Sequence, residues 1–165
     1  KGSGHHSVVR SMPNTPAQLG LGMTGWTATR DVTASQKALA GAILGAMGKE
    51  IYFEDEASLD AVTAVSGSGP AYFYLFAESL IDAAVGLGLT RENALTLVKQ
   101  TMLGAAHLMN ESDKSPAELR RNVTSKGGTT EQAIKAFEEN GLARIVGEAA
   151  KAACRRAKEL GETSG

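Results

Sequence analysis

The sequence predicts a mainly α fold, a helical bundle preceded by a small α/β segment, and three observations carry that expectation. Helical periodicity with caps and stops runs from Ser58 to Leu160 without a convincing strand. Short β-branched and aromatic runs occur before Glu56, around one helical pattern. With 42% hydrophobic residues in a chain of 165, one full core can be buried, so one domain or one domain plus a fragment is expected.

Lys1 to Ser7 reads as loop, and its His5-His6 is native loop, a tag remnant or a metal-binding pair lacking the further ligands such a site needs. Ser7 to Met12 reads as a strand, broken by Pro13-Asn14-Thr15-Pro16. Met23 to Thr29, with Trp26, and Lys49 to Glu54, with Ile51, Tyr52 and Phe53, read as two more. Between them a helix opens at Thr33 or Ser35, runs through Leu39, Ile43, Leu44 and Met47, and stops at Gly48. Three strands and one helix leave an open sheet edge, so this segment reads as the end of something larger.

A short helix follows Ser58, and Ser66-Gly67-Ser68-Gly69-Pro70 turns the chain into a longer one that ends near Gly86 to Gly88. Tyr72, Phe73, Tyr74, Leu75, Phe76, Leu80, Ile81 and Val85 cover most of its circumference. An all-round apolar helix must be surrounded, either at the centre of a monomer or, as a bundle of this size favours, partly by a second subunit. The next helix opens at Thr90 and runs to about Met109. Ser115-Pro116-Ala117-Glu118 combines N-cap, proline and capping-box glutamate, and that helix ends before Ser125. A helix to about Glu139, a stop at Gly141 and a last helix from Leu142 to Leu160, closed by Gly161, complete the chain.

Seventeen basic against eighteen acidic residues give a formal net charge of -1, with no basic cluster interleaved with aromatics. Nucleic acid is therefore not expected as a partner, and the expected ligand is small. No run reaches the ~18 to 20 apolar residues of a membrane span. The start lacks the order of a signal peptide, so a cytoplasmic protein with no membrane partner is expected. Cys154 is single and reads as a structural helix residue in a reducing compartment. His5, His6 and His107 form no plausible metal set, so no metal is expected; His107 reads as an ordinary helix residue. Ser66-Gly67-Ser68-Gly69 is neither a G-x-S-x-G elbow nor a G-x-G-x-x-G loop, since Tyr72 stands where the last glycine would be needed.

Thr124-Ser125-Lys126-Gly127-Gly128-Thr129-Thr130-Glu131-Gln132 is a hydroxyl- and glycine-rich turn running straight into a helix. Thr129 or Thr130 is the expected N-cap, and Thr129-x-x-Gln132 has the form of a capping box. Adjacent glycines let several N–H groups converge ahead of a positive helix end, where a carboxylate or phosphate finds donors. A plain interhelical turn has the same local composition.

Arg10-Ser11-Met12-Pro13-Asn14-Thr15-Pro16, Ala64-Val65-Ser66-Gly67-Ser68-Gly69-Pro70-Ala71-Tyr72, and Leu119-Arg120-Arg121-Asn122-Val123-Thr124-Ser125 followed by Gly127-Gly128-Thr129-Thr130 resemble, in order and separation, the motifs of pyrroline-5-carboxylate reductases. Arg155 to Leu160 adds a matching end, and the resemblance covers Val8 to Leu160. It implies hydride transfer from NADPH or NADH to the ring imine of 1-pyrroline-5-carboxylate, giving L-proline. It also implies that residues 1–56 are the C-terminal remnant of a Rossmann-type cofactor domain and 57–165 an all-helical dimerisation and substrate-binding domain. The family's N-terminal strand and glycine-rich dinucleotide turn are lacking, so the isolated chain is expected neither to bind the cofactor pyrophosphate tightly nor to turn over.

By the same resemblance, backbone N–H groups of Ser125, Lys126, Gly127, Gly128, Thr129 and Thr130 hold the substrate carboxylate. The Thr130 hydroxyl faces the imine nitrogen as the catalytic group, orienting it and stabilising developing charge. Met12, Pro13 and Asn14 lie near the nicotinamide end of the cofactor, approached by Asn122 and Val123. The family usually has proline at the position of Lys126. Its members form dimers with interlocked helices, extended in some cases to decameric rings. The competing expectation is a noncatalytic oligomerisation module with no ligand in the Ser125 to Thr130 turn.

Overall fold

A computed structural model describes residues 4–163. The loop expected for Lys1 to Ser3 lies outside them. Along the chain come β1 (Val9–Met12), a 3-10 turn (Thr15–Leu19), β2 (Gly22–Ala28), α1 (Ala34–Gly45), β3 (Gly48–Tyr52) and α2 (Ser58–Val62). A π-helical turn (Thr63–Gly67) leads into α3 (Gly69–Gly86), followed by α4 (Arg91–Glu111), α5 (Pro116–Asn122), α6 (Thr129–Glu139) and α7 (Leu142–Thr163). The chain divides into two compact units, Lys1–Tyr72 with Gly147–Gly165, and Phe73–Val146.

In the first unit the sheet order is β1-β2-β3. β1 pairs antiparallel with β2, Val9 opposite Ala28 and Met12 opposite Gly25, whereas β2 and β3 run parallel, Gly22 opposite Gly48 and Trp26 opposite Tyr52. A parallel pair needs a crossover, and α1 supplies it. That helix starts where a threonine can cap it: Thr33 accepts from the Gln36 N–H and the Gln36 side chain accepts from the Thr33 N–H. It ends at Gly45, earlier than the glycine stop at Gly48 suggests, because Gly48 with φ +140° already opens β3 against Gly22. Of its apolar positions Leu44 is buried, while Leu39 and Ile43 stay exposed.

Thr24, Trp26 and Thr27 of β2 are buried together with Val32, Leu44, Leu59 and Ala64. The Trp26 ring lies 4.8 Å from that of Tyr52, and its indole N–H donates to Glu50. Lys37 Nζ donates to the Tyr52 hydroxyl at 2.7 Å and sits 4.5 Å from the ring centre, which holds the lysine above its usual pKa range. α2 crosses β2 at its barest point: a Cβ on Gly25 would meet Val62 Cγ1 at 2.6 Å.

In the second unit α3 and α4 share a small core of Ile81, Ala94 and Val98, with Ala77, Ala84 and Met102 around it. Thr90 caps α4, and Arg91 donates to Asp82 at 2.8 Å across the turn. Ser115 and Glu118 form the expected capping box of α5; those bonds to Ser115 hold the Glu118 carboxyl below its ordinary range. Phe76 of α3 and Phe137 of α6 have ring centres 6.1 Å apart. α3 is otherwise poorly covered within the chain, with Phe73, Tyr74 and Leu75 each more than 60% exposed. α7 runs straight through Gly161 to Thr163 instead of closing there, since one glycine weakens a helix without ending it.

Candidate functional site

α5 and α6 are joined by a tight turn, and its shape follows from three backbone facts. The Thr124 hydroxyl donates to the Arg120 carbonyl at 2.6 Å, finishing α5. The Gly128 N–H then donates to the Ser125 carbonyl at 3.0 Å, closing a β-turn over Lys126 and Gly127. Gly127 has φ +75°, and no described residue other than glycine has positive φ, so Lys126 is the first and Gly127 the second corner residue of a type II turn. Arg120 reaches Glu138 at 3.6 Å, an exposed ion pair bridging the two helices.

The helix does not begin where the threonines suggest. Gly128, with φ -82° and ψ 169°, is the N-cap, and no side chain caps α6. The expected threonine cap and the Thr129-x-x-Gln132 box are therefore corrected. Because the β-turn leaves Gly128 extended while its carbonyl already accepts from the Gln132 N–H, Thr129 and Thr130 fall at the first and second helical positions. α1, α4 and α5 each receive a side-chain acceptor from Thr33, Thr90 or Ser115. A glycine N-cap brings none, so the first-turn N–H groups of α6 have no side-chain cap acceptor beside a positive helix end. Glu131, at the third position, instead reaches back, and its carboxylate accepts from the Gly127 N–H at 2.7 Å.

Asn122 ends α5 and Val123 is its C-cap, 65% exposed. Both therefore flank the same turn as Ser125, Lys126, Gly127, Gly128, Thr129 and Thr130, which the backbone brings together. Met12, Pro13 and Asn14 belong to the first unit. There the Asn14 amide works within the fold, donating to the Ser66 carbonyl at 3.2 Å and accepting from the Met23 N–H at 2.9 Å. Met12 packs on Gly67, where a Cβ would meet its Cε at 2.6 Å. Pro13 remains exposed. Ser66 Oγ is buried without a hydrogen-bond partner beside this brace.

The family model for pyrroline-5-carboxylate reductase dimerisation matches residues 56–160. The chain belongs to that family. A pyrroline-5-carboxylate reductase of Pseudomonas aeruginosa is 52% identical over 158 residues, covering 96% of this chain and 58% of the relative. The Synechocystis enzyme is 44% identical, over 98% of this chain and 60% of its own length. Among solved structures, the Coxiella burnetii reductase superposes with a TM-score of 0.90 at 47% identity, covering 93% of this chain and 57% of that one. The Plasmodium falciparum pyrroline carboxylate reductase with NADP bound gives 0.86 at 38% identity, covering 94% and 63%. The chain thus spans about three fifths of the length of the relatives it matches.

Two contacts near these residues escape a reading of the sequence alone. Glu131 is one; a cap placed at Gly128 would have put it at the third helical position, where glutamate reaches backwards. The Asn14 brace is the other, and it joins positions 52 residues apart, for which no local signal exists.

Proposed function

We propose that this chain is the dimerisation and substrate-binding part of a pyrroline-5-carboxylate reductase that reduces 1-pyrroline-5-carboxylate to L-proline. Residues 1–56 form the end of its cofactor domain and 57–165 the helical domain. Family membership supports the reading, and the observation that carries it to the site is the glycine-capped start of α6. A ligand carboxylate there supplies the acceptor that the missing N-cap side chain would have provided, with first-turn N–H groups of Thr129 and Thr130 as donors. Thr130, half-buried at the second helical position and free of any capping role, offers its hydroxyl to the ring nitrogen. That bond orients the imine and stabilises charge as the imine carbon, C2 of the pyrroline ring, gains hydride and nitrogen gains a proton from water.

The residues present fit the nicotinamide end of a cofactor. In the first unit Pro13 leaves exposed apolar surface, and Ser66 Oγ carries unused hydrogen-bonding capacity beside the Met12 to Asn14 brace. Bound NADPH or NADH supplies the hydride. Asn14 would act by holding this loop in place through its amide bonds to Ser66 and Met23.

Phe73, Tyr74 and Leu75 on α3, with Leu97 and Leu103 on α4, leave large apolar side chains exposed, and a second copy of the chain is proposed to cover them. No described helix is long and apolar enough to cross a membrane, and a cytoplasmic location is proposed. The chain, fused behind the N-terminal part of the Pseudomonas aeruginosa relative, should form L-proline from the imine with NADPH or NADH. Thr130→Ala should lower its turnover about a hundredfold. A folded, dimeric fusion that makes no proline would favour a purely oligomerising module, and an unchanged Thr130→Ala rate would remove that hydroxyl from the mechanism.

A further inference from the structure

We propose that Glu131 is a positioning residue that latches the Ser125 to Gly128 turn in its ligand-ready shape, an inference that rests on the carboxylate-cradle reading above. The Glu131 carboxylate accepts from the N–H of Gly127, the one corner of the turn with positive φ. In an ordinary capping box the third-position glutamate returns to the N-cap N–H. Here that N–H, on Gly128, is already spent on the Ser125 carbonyl, and the glutamate reaches one residue further.

The consequence is mechanical. Rotation about the Gly127 peptide would swing the Gly128 N–H off the Ser125 carbonyl and change the direction in which α6 starts. The other corner offers no restraint: Lys126 is exposed at the first corner position of a type II turn, where proline would fix φ and lysine does not. The bond from Gly127 to Glu131 ties that loose corner to the helix whose first N–H groups are to meet the ligand. Glu131 thereby sets the position of the donors without touching the ligand.

This arrangement makes the contribution of Glu131 depend on what stands at position 126. Glu131→Ala should weaken L-proline binding about three- to tenfold by calorimetry, the loss of one hydrogen bond, and should speed exchange of the Gly127 amide by about tenfold. Glu131→Gln keeps a carbonyl acceptor and should retain most of both. In a Lys126→Pro background the same Glu131→Ala change should cost less than about twofold, because the ring now restrains the turn. A plain helix cap would lose the same in either background, so equal losses with lysine and proline would overturn the latch. Unaltered Gly127 exchange in Glu131→Ala would do so as well. Should the parent chain fail to bind L-proline, the cradle reading fails, while the exchange measurements still decide the latch.

Discussion

Gly128→Asp tests the central feature of this chain, a helix start left without its own acceptor. Gly128 has φ -82°, which any residue adopts, so an aspartate there meets no backbone strain. Its Cβ would lie 2.6 Å from Ser125 Oγ, which can rotate away on an exposed side chain, and 3.0 Å from the Ser125 carbonyl, which must yield by a few tenths of an ångström. Against that cost stands a side-chain cap, better than glycine by a few tenths of a kcal/mol, and a helix-dipole interaction of about 0.3–1 kcal/mol. Stability in urea should therefore change by less than about 1 kcal/mol. Ligand binding should not be spared. The new carboxylate takes the N–H groups that would hold the ligand's, and one hydrogen bond to a charged group contributes about 1.5–3 kcal/mol. L-Proline affinity should fall about ten- to hundredfold in calorimetry. Gly128→Ala fills the same space without capping and should lose less affinity. Affinity within twofold of the parent in a folded Gly128→Asp variant would refute the cradle, and equal losses in the two variants would mean that bulk, not capping, matters.

The remaining expectations concern the scaffold and the assembly. Glu118→Gln should destabilise the chain at pH 7. The Ser115 bonds lower the folded-state pKa, so the stability they add is present above the unfolded value of 4.5 and is lost as pH falls through the folded value. Urea midpoints of parent and variant should thus differ at pH 7 and converge as pH falls below 4.5; a constant difference would contradict this. Gly25→Ala should cost about 1–3 kcal/mol because its methyl would meet both γ-carbons of Val62, at 2.6 and 2.9 Å. Val62→Ala should recover part of that loss in thermal melts, and no recovery would place the strain elsewhere. Sedimentation should find the chain dimeric or larger at micromolar concentration, whereas a monomer would leave the exposed side chains of α3 unexplained.

Much of the fold is legible because its signals are local. Thr33 with Gln36, Thr90, and Ser115 with Glu118 cap three helices as their spacing suggests, since each cap joins residues three apart. At the candidate site the same logic fails by one residue. Two threonines follow two glycines, and capping preference alone selects a threonine, yet the type II turn delivers Gly128 in the extended conformation first. The apolar stripe of α1 misleads for a different reason: Leu39 and Ile43 have helical spacing, but only the Leu44 side meets the sheet.

By itself the sequence determines the mainly helical class, the three-strand segment before it, and the motifs that mark the pyrroline-5-carboxylate reductase family. These depend on composition, periodicity and contacts within a turn. The tertiary structure alone decides that β2 runs antiparallel to β1 and parallel to β3, that Asn14 braces Ser66 to Met23, and that Met12 closes over Gly67. It also decides that the glycine-threonine turn presents an uncapped helix end with Glu131 folded back on Gly127. Each of these depends on where the chain lies in space, because side-chain bonds across dozens of residues, or a shift of one residue in where a helix begins, leave no periodic trace.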